Sequence, residues 1–139
     1  MDATAVAHVN PFAIGALALD SVQVALSHVD DYVGRLEGFI AVHGDGALDD
    51  AANAATKDAR IGAFRVNKDA QERIRPLFED ASMNEKVRSL LKQADGSLED
   101  SSWQIQNKDS PDGRFIGIDL GGALGDAQDA AGALRRILQ

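Results

Sequence analysis

A chain of 139 residues with 14 basic and 22 acidic side chains, a net charge of −8 at neutral pH and no cysteine fits one domain able to bury an apolar core. Without thiols there are no disulfides, thiolate metal sites or cysteine nucleophiles, and a negative charge spread over both halves disfavours phosphate backbones and anionic lipid surfaces. No stretch reaches the ~20 apolar residues of a membrane span, and no basic side chain precedes Arg35 as an export signal would require, so the expectation is a cytoplasmic protein that contacts neither membrane nor nucleic acid.

Residues 1–10 lack strong periodicity and are expected to form a flexible N-terminal segment, leaving 11–139 as a single domain. Asn10-Pro11 is a helix start, a capping side chain followed by proline at the first helical position. Leu19, Val22, Leu26, Val29, Val33, Leu36 and Ile40 then recur at spacings of three and four, the seam of an amphipathic helix. Asp20, Gln23, Ser27, Asp30, Asp31 and Glu37 fill its opposite face. A helix from Pro11 to the Gly44-Asp45-Gly46 turn would run about 50 Å at 1.5 Å per residue. That exceeds the width of a domain this small, so part of the seam is predicted to need cover from outside the subunit.

Residues 47–60, rich in alanine and aspartate, predict a weak helix, and Ile61 to Val66 is a short apolar stretch whose length fits either an edge strand or a helix. Asn67 is expected to cap a helix carrying Ala70, Ile74, Leu77, Phe78 and Ala81, kinked or split at Pro76. Ser82-Met83-Asn84-Glu85 forms a capping box before a helix with Val87, Leu90, Leu91 and Ala94 that ends at Gly96. Trp103 and Ile105 alternate with glutamines, and Ile116, Ile118 and Leu120 alternate around a Ser110-Pro111-Asp112-Gly113 turn, which predicts a β-hairpin. After Gly121-Gly122, the spacing of Leu124, Ala127, Ala131, Leu134 and Leu138 closes the chain with a second helical seam. The fold class expected is α+β, mainly helical: a long N-terminal amphipathic helix, central helices, a β-hairpin and a C-terminal helix packed on the first.

Few motifs carry chemistry. Phe115-Ile116-Gly117-Ile118-Asp119-Leu120-Gly121-Gly122 resembles the first phosphate-binding hairpin of the actin and hexokinase-like sugar kinases. That resemblance implies an aspartate and glycines facing nucleotide phosphates, but Ala123 replaces the family's threonine and the strand nearly closes this chain instead of opening it. Two echoing segments, Asp45 to Asp50 and Asp95 to Asp100, share the centre of an EF-hand loop but lack its flanking oxygen ligands. His8, His28 and His43 have no metal-binding spacing, so neither metal nor cofactor is expected.

The leading expectation is therefore a non-catalytic interaction or assembly protein of the adaptor, chaperone or neutralising-partner type, self-associating through its long helix as a homodimer. Its partner-binding residues would be Leu19, Val22, Leu26, Val29, Val33, Leu36 and Trp103, tryptophan being enriched at interfaces. The alternative is a small enzyme using His28 with Asp30, Asp31 or Asp119 as an acid/base site. A third reading is an inhibitor that presents acidic side chains to a basic protein surface.

Overall fold

A computed structural model describes residues 15–44, 50–105 and 119–139. Within them the elements are α1 (Ala16–His43), the short α2 (Asp50–Ala55), α3 (Lys57–Glu79), α4 (Glu85–Gln104) and α5 (Leu120–Leu138). Helix α1 packs against α3 and α5, and α4 packs against the same two. The long helices thus form a closed ring of four around one core.

The cross-helix bonds set their directions. Asn67 reaches the carbonyl of Leu98 while Arg88 reaches that of Phe78, so α3 and α4 run antiparallel. Gln104 O accepts from Asp119 N–H at the start of α5 and Ser101, one turn earlier on α4, bonds the carbonyl of Ala123, one turn further on, which turns α5 back along α4. The N-terminal turn of α1 shares a cavity with the α3–α4 connection at Asp80 to Asn84, so α1 is antiparallel to α3. This is an up-down-up-down bundle.

Val22, Ala25, Val29, Tyr32 and Leu36 of α1 are buried at the spacing of three and four that the sequence displays. Opposite them stand Ile74 of α3, Leu91, Ala94 and Leu98 of α4, and the small row Ala123, Ala127, Ala130 and Ala131 of α5 with Leu134 and Ile137. Local chemistry sets the ends. Gly44 closes α1 with φ of 78°, a conformation that favours glycine, and returns its N–H to Ile40. Asn84 accepts from the N–H groups of Lys86 and Val87 at the start of α4, and Asp119 accepts from Gly122 at the start of α5.

A polar layer crosses this core. The single Ser101 hydroxyl proton goes to Ala123 O at 2.7 Å, so Tyr32 donates its phenol to Ser101 Oγ at 2.6 Å. Asn67 donates to Leu98 O and accepts from Gln71, whose Oε1 takes a bond from Arg75 at the bundle surface. Tyr32, Asn67, Gln71 and Ser101 are fully buried, and among the described residues no buried side-chain polar atom lacks a partner. Burial pushes the Tyr32 phenol up, keeping it a donor at neutral pH.

Arg60 fixes the end of the bundle where α4 terminates. Only 4% exposed, it gives Nε to Thr56 Oγ1, Nη1 to Ile105 O, and Nη2 to both oxygens of Asn53. Its partners among the described residues are neutral, and two of them are carbonyls at the C-terminal ends of α2 and α4, where the helix dipoles favour a cation. Burial lowers its pKa from the usual arginine value.

Several sequence expectations are corrected here. Every regular element among the described residues is a helix, which replaces the expected α+β class with an all-α one. Trp103 belongs to α4 and Ile105 follows its last turn, while residues 106–118 of the expected hairpin lie outside the described residues. The alternation of Trp103 and Ile105 was outweighed by a longer helical period, Leu91, Ala94, Leu98, Ser101 and Ile105, that includes a buried serine. Gly96 does not stop α4; it lies on the exposed side, where the penalty of about 1 kcal/mol is offset by the buried face. Ile61 to Val66 is the interior of α3, and Pro76 sits on its exposed side without ending it. Asn67 is no cap: its amide is turned into the core.

Ser101→Ala is expected to lower stability by about 1–3 kcal/mol by stripping the buried Tyr32 phenol of its acceptor, and adding Tyr32→Phe to restore part of the loss; urea unfolding of the two variants checks the order. Gly132→Ala, at an exposed position of α5 with open space around it, should raise stability by about 0.5–1 kcal/mol in the same assay.

Candidate interaction surface

The residues expected to bind a partner divide into two groups. Val22, Val29 and Leu36 are fully buried in the bundle, so a partner reaches them only if α1 detaches. Leu19, Leu26 and Val33 are half-buried at the margins of the same seam. Trp103 is 48% exposed on α4.

Among the described residues the most exposed large apolar side chains are Leu17 at 87% and Val42 at 75%, at opposite ends of α1, followed by Trp103 and by Ile61 at 42%. Only the last two stand together. Lys68 of α3 bonds Glu99 of α4 at 2.6 Å. One turn before Lys68 lies Phe64, with the ammonium 5.1 Å from its ring centroid. One turn after Glu99 lies Trp103, and because the helices are antiparallel both steps run the same way along the bundle, toward Ile61 on α3, which the Asn67–Leu98 bond places within one residue of the level of Trp103. The core side of α3 is taken by Arg60, Ala63, Asn67, Ala70, Gln71 and Ile74, which turns Ile61 outward. Residue type marks out Trp103 in the sequence, whereas Ile61 and Phe64 lie in a short apolar stretch that fits strand or helix alike; six buried positions at helical spacing from Arg60 to Ile74 carry the helical signal, hidden by three polar members.

The carboxylates proposed for acid/base work are not brought to His28. Asp30 pairs with Arg135 at 2.7 Å, Asp31 with Arg35 at 3.0 Å, and Asp119 caps α5. His28 instead shares an open cavity of about 440 Å³ with Asp69, Glu72 and Arg73 of α3. Among the described residues no three His, Asp or Glu side chains are placed to hold a metal. Asp95 to Asp100 lies inside continuous α4, with Asp95 bound to Arg75, so this acidic echo forms no loop. Asp45 to Asp49 and residues 115–118 lie outside the described residues. Asp119 to Gly122, the remainder of the kinase-like segment, opens α5, and a Cβ at Gly122 would displace the Gln104 amide and crowd the Asp119 carboxylate.

That amide anchors an acidic corner. Gln104 donates to Asp126, whose carboxyl is held above the usual carboxylate range by burial, reinforced by Asp100, Asp129 and Asp119, with the Gln104 bond opposing. Glu99 shows the opposite shift: its bond with Lys68 holds it below the usual range.

No protein-family model, curated protein or solved structure matches the chain.

A raised carboxyl pKa means that the folded state binds the proton more tightly than the unfolded one, so Asp126 destabilises the fold above its folded pKa, and that effect fades as pH falls toward 3.8. Asp126→Asn keeps an acceptor for Gln104 and is expected to raise the melting temperature at pH 7, with the gain shrinking toward pH 4. A gain that grows on acidification would contradict the assignment.

Proposed function

We propose that this chain is a non-catalytic protein-protein interaction or assembly protein that binds through the α3–α4 face. The observation that carries the reading is Trp103, about half exposed on α4 near the level of the exposed Ile61 of α3, in a bundle whose described residues leave no buried side-chain polar atom unmatched. Aromatic side chains supply large contact area at low conformational cost and dominate binding energy where they occur in interfaces. The emphasis moves from α1 to α4, since the strongest part of the α1 seam is already covered within the subunit. Leu19, Leu26 and Val33 remain a secondary margin for self-association.

Wild-type protein immobilised on resin is expected to retain at least one protein, a further copy of itself or a different chain, that Trp103→Ser releases. The affinity loss should be about thirtyfold, corresponding to about 2 kcal/mol for an interface anchor, with circular dichroism unchanged. Equal retention by both proteins, or retention by neither, overturns the proposal.

A further inference from the structure

We infer that the α3–α4 face binds a second copy of the same chain, about a two-fold axis lying in the interface and running along the groove between the two helices. The inference rests on the interaction reading above and names its partner.

The bond from Asn67 to the carbonyl of Leu98 places those residues level on antiparallel helices. Counting outward from it, Arg65 stands level with Asp100, while Ile61 lies one residue, about 1.5 Å, from the level of Trp103 and Glu72 one residue from that of Lys92. At 100° per residue, measured from the buried Asn67 on α3 and Leu98 on α4, all six point away from the core, Asp100 toward the edge that it shares with Asp126 of α5 and Glu72 at the rim of the cavity that it shares with His28. Within the subunit Arg65, Asp100, Glu72 and Lys92 form no ion pair among the described residues, whereas Lys68 and Glu99 between them are already paired.

A two-fold axis along the groove lays α3 of one copy on α4 of the other without changing level. Arg65 then meets the second copy's Asp100, Glu72 meets its Lys92, and Ile61 meets its Trp103. Each contact occurs twice. The sign of charge reverses between the two ends of α3 and reverses in the opposite sense on α4, so the face complements its own image. A net charge of −8 per chain opposes association of arbitrary surfaces, which gives these local pairs their selective weight. Two helices about 30 Å long and about 20 Å across together cover roughly 600 Å² per partner, at the lower end of stable interfaces.

The test is sedimentation equilibrium of the full chain from about 1 µM to about 1 mM, the range in which an interface of this size associates. The wild type is expected to pass from 14.7 kDa to twice that mass. Trp103→Ser and Ile61→Asp should stay monomeric with unchanged circular dichroism. Arg65→Glu and Asp100→Lys should each weaken the dimer at least about tenfold through like-charge contact, and the double variant should return to within about threefold of wild type. A wild type that remains at 14.7 kDa, a dimer insensitive to Trp103→Ser, or a double variant no better than the single ones overturns the inference. A monomer that still retains another protein through Trp103 leaves the interaction reading standing and removes only the second copy.

Discussion

The bundle depends on its buried polar layer. Tyr32 from α1, Ser101 from α4 and the carbonyl of Ala123 in α5 form one relay, and Asn67 with Gln71 ties α3 to α4 one step away. The apolar part of this core is built largely from small side chains, alanines above all on α5, and such surfaces interlock poorly because they present shallow ridges. Hydrogen bonds with strict distance and direction supply what the ridges lack. Sliding any helix by one turn would leave several of these groups buried without partners, at about 1–3 kcal/mol each, so the layer discriminates among registers that apolar burial alone would leave close in energy.

This explains where sequence reading succeeded and failed. The α1 seam, the stop at Gly44 and the α5 seam were legible because each rests on apolar period or on one residue, whereas α4 starts near the expected place with Asn84 as its cap in place of the Ser82–Glu85 capping box. Helix α3 was legible only in part. Its buried face includes Arg60, Asn67 and Gln71, which a pattern of apolar against polar assigns to solvent. The last turns of α4 were missed for the same reason, Ser101 and Ser102 being buried where the pattern expects leucine. Polar residues are placed inside by their partners on other helices, and partners distant in sequence are invisible to local period. Trp103 was singled out as a possible anchor from residue type alone, but its companion Ile61 needed the α3–α4 register to be seen.

Charge is arranged on two scales. Over the whole chain acidic residues dominate, while within the bundle ion pairs stitch neighbouring helices: Arg75 with Asp95 and Glu99, Lys68 with Glu99, and Asp30 with Arg135. Each is exposed enough that its worth is a fraction of a kcal/mol. Arg60 differs, since its guanidinium is buried and held by four bonds to neutral oxygens from three segments. Its planar fork matches the spread of those acceptors, and lysine, with one nitrogen, does not.

The alanine row of α5 has a consequence for how this sequence can change. Ala123, Ala127 and Ala130 are fully enclosed, so neighbouring backbones set the space at those positions and added methylenes force the helices apart, at typically about 1–3 kcal/mol for each overpacked site. Variation there is blocked toward bulk, while the other enclosed positions, Leu120, Leu134 and Ile137, lose stability toward smaller side chains by leaving voids. Helix α5 is thus bounded from both directions, and evolutionary freedom in this protein lies mainly on its outward faces.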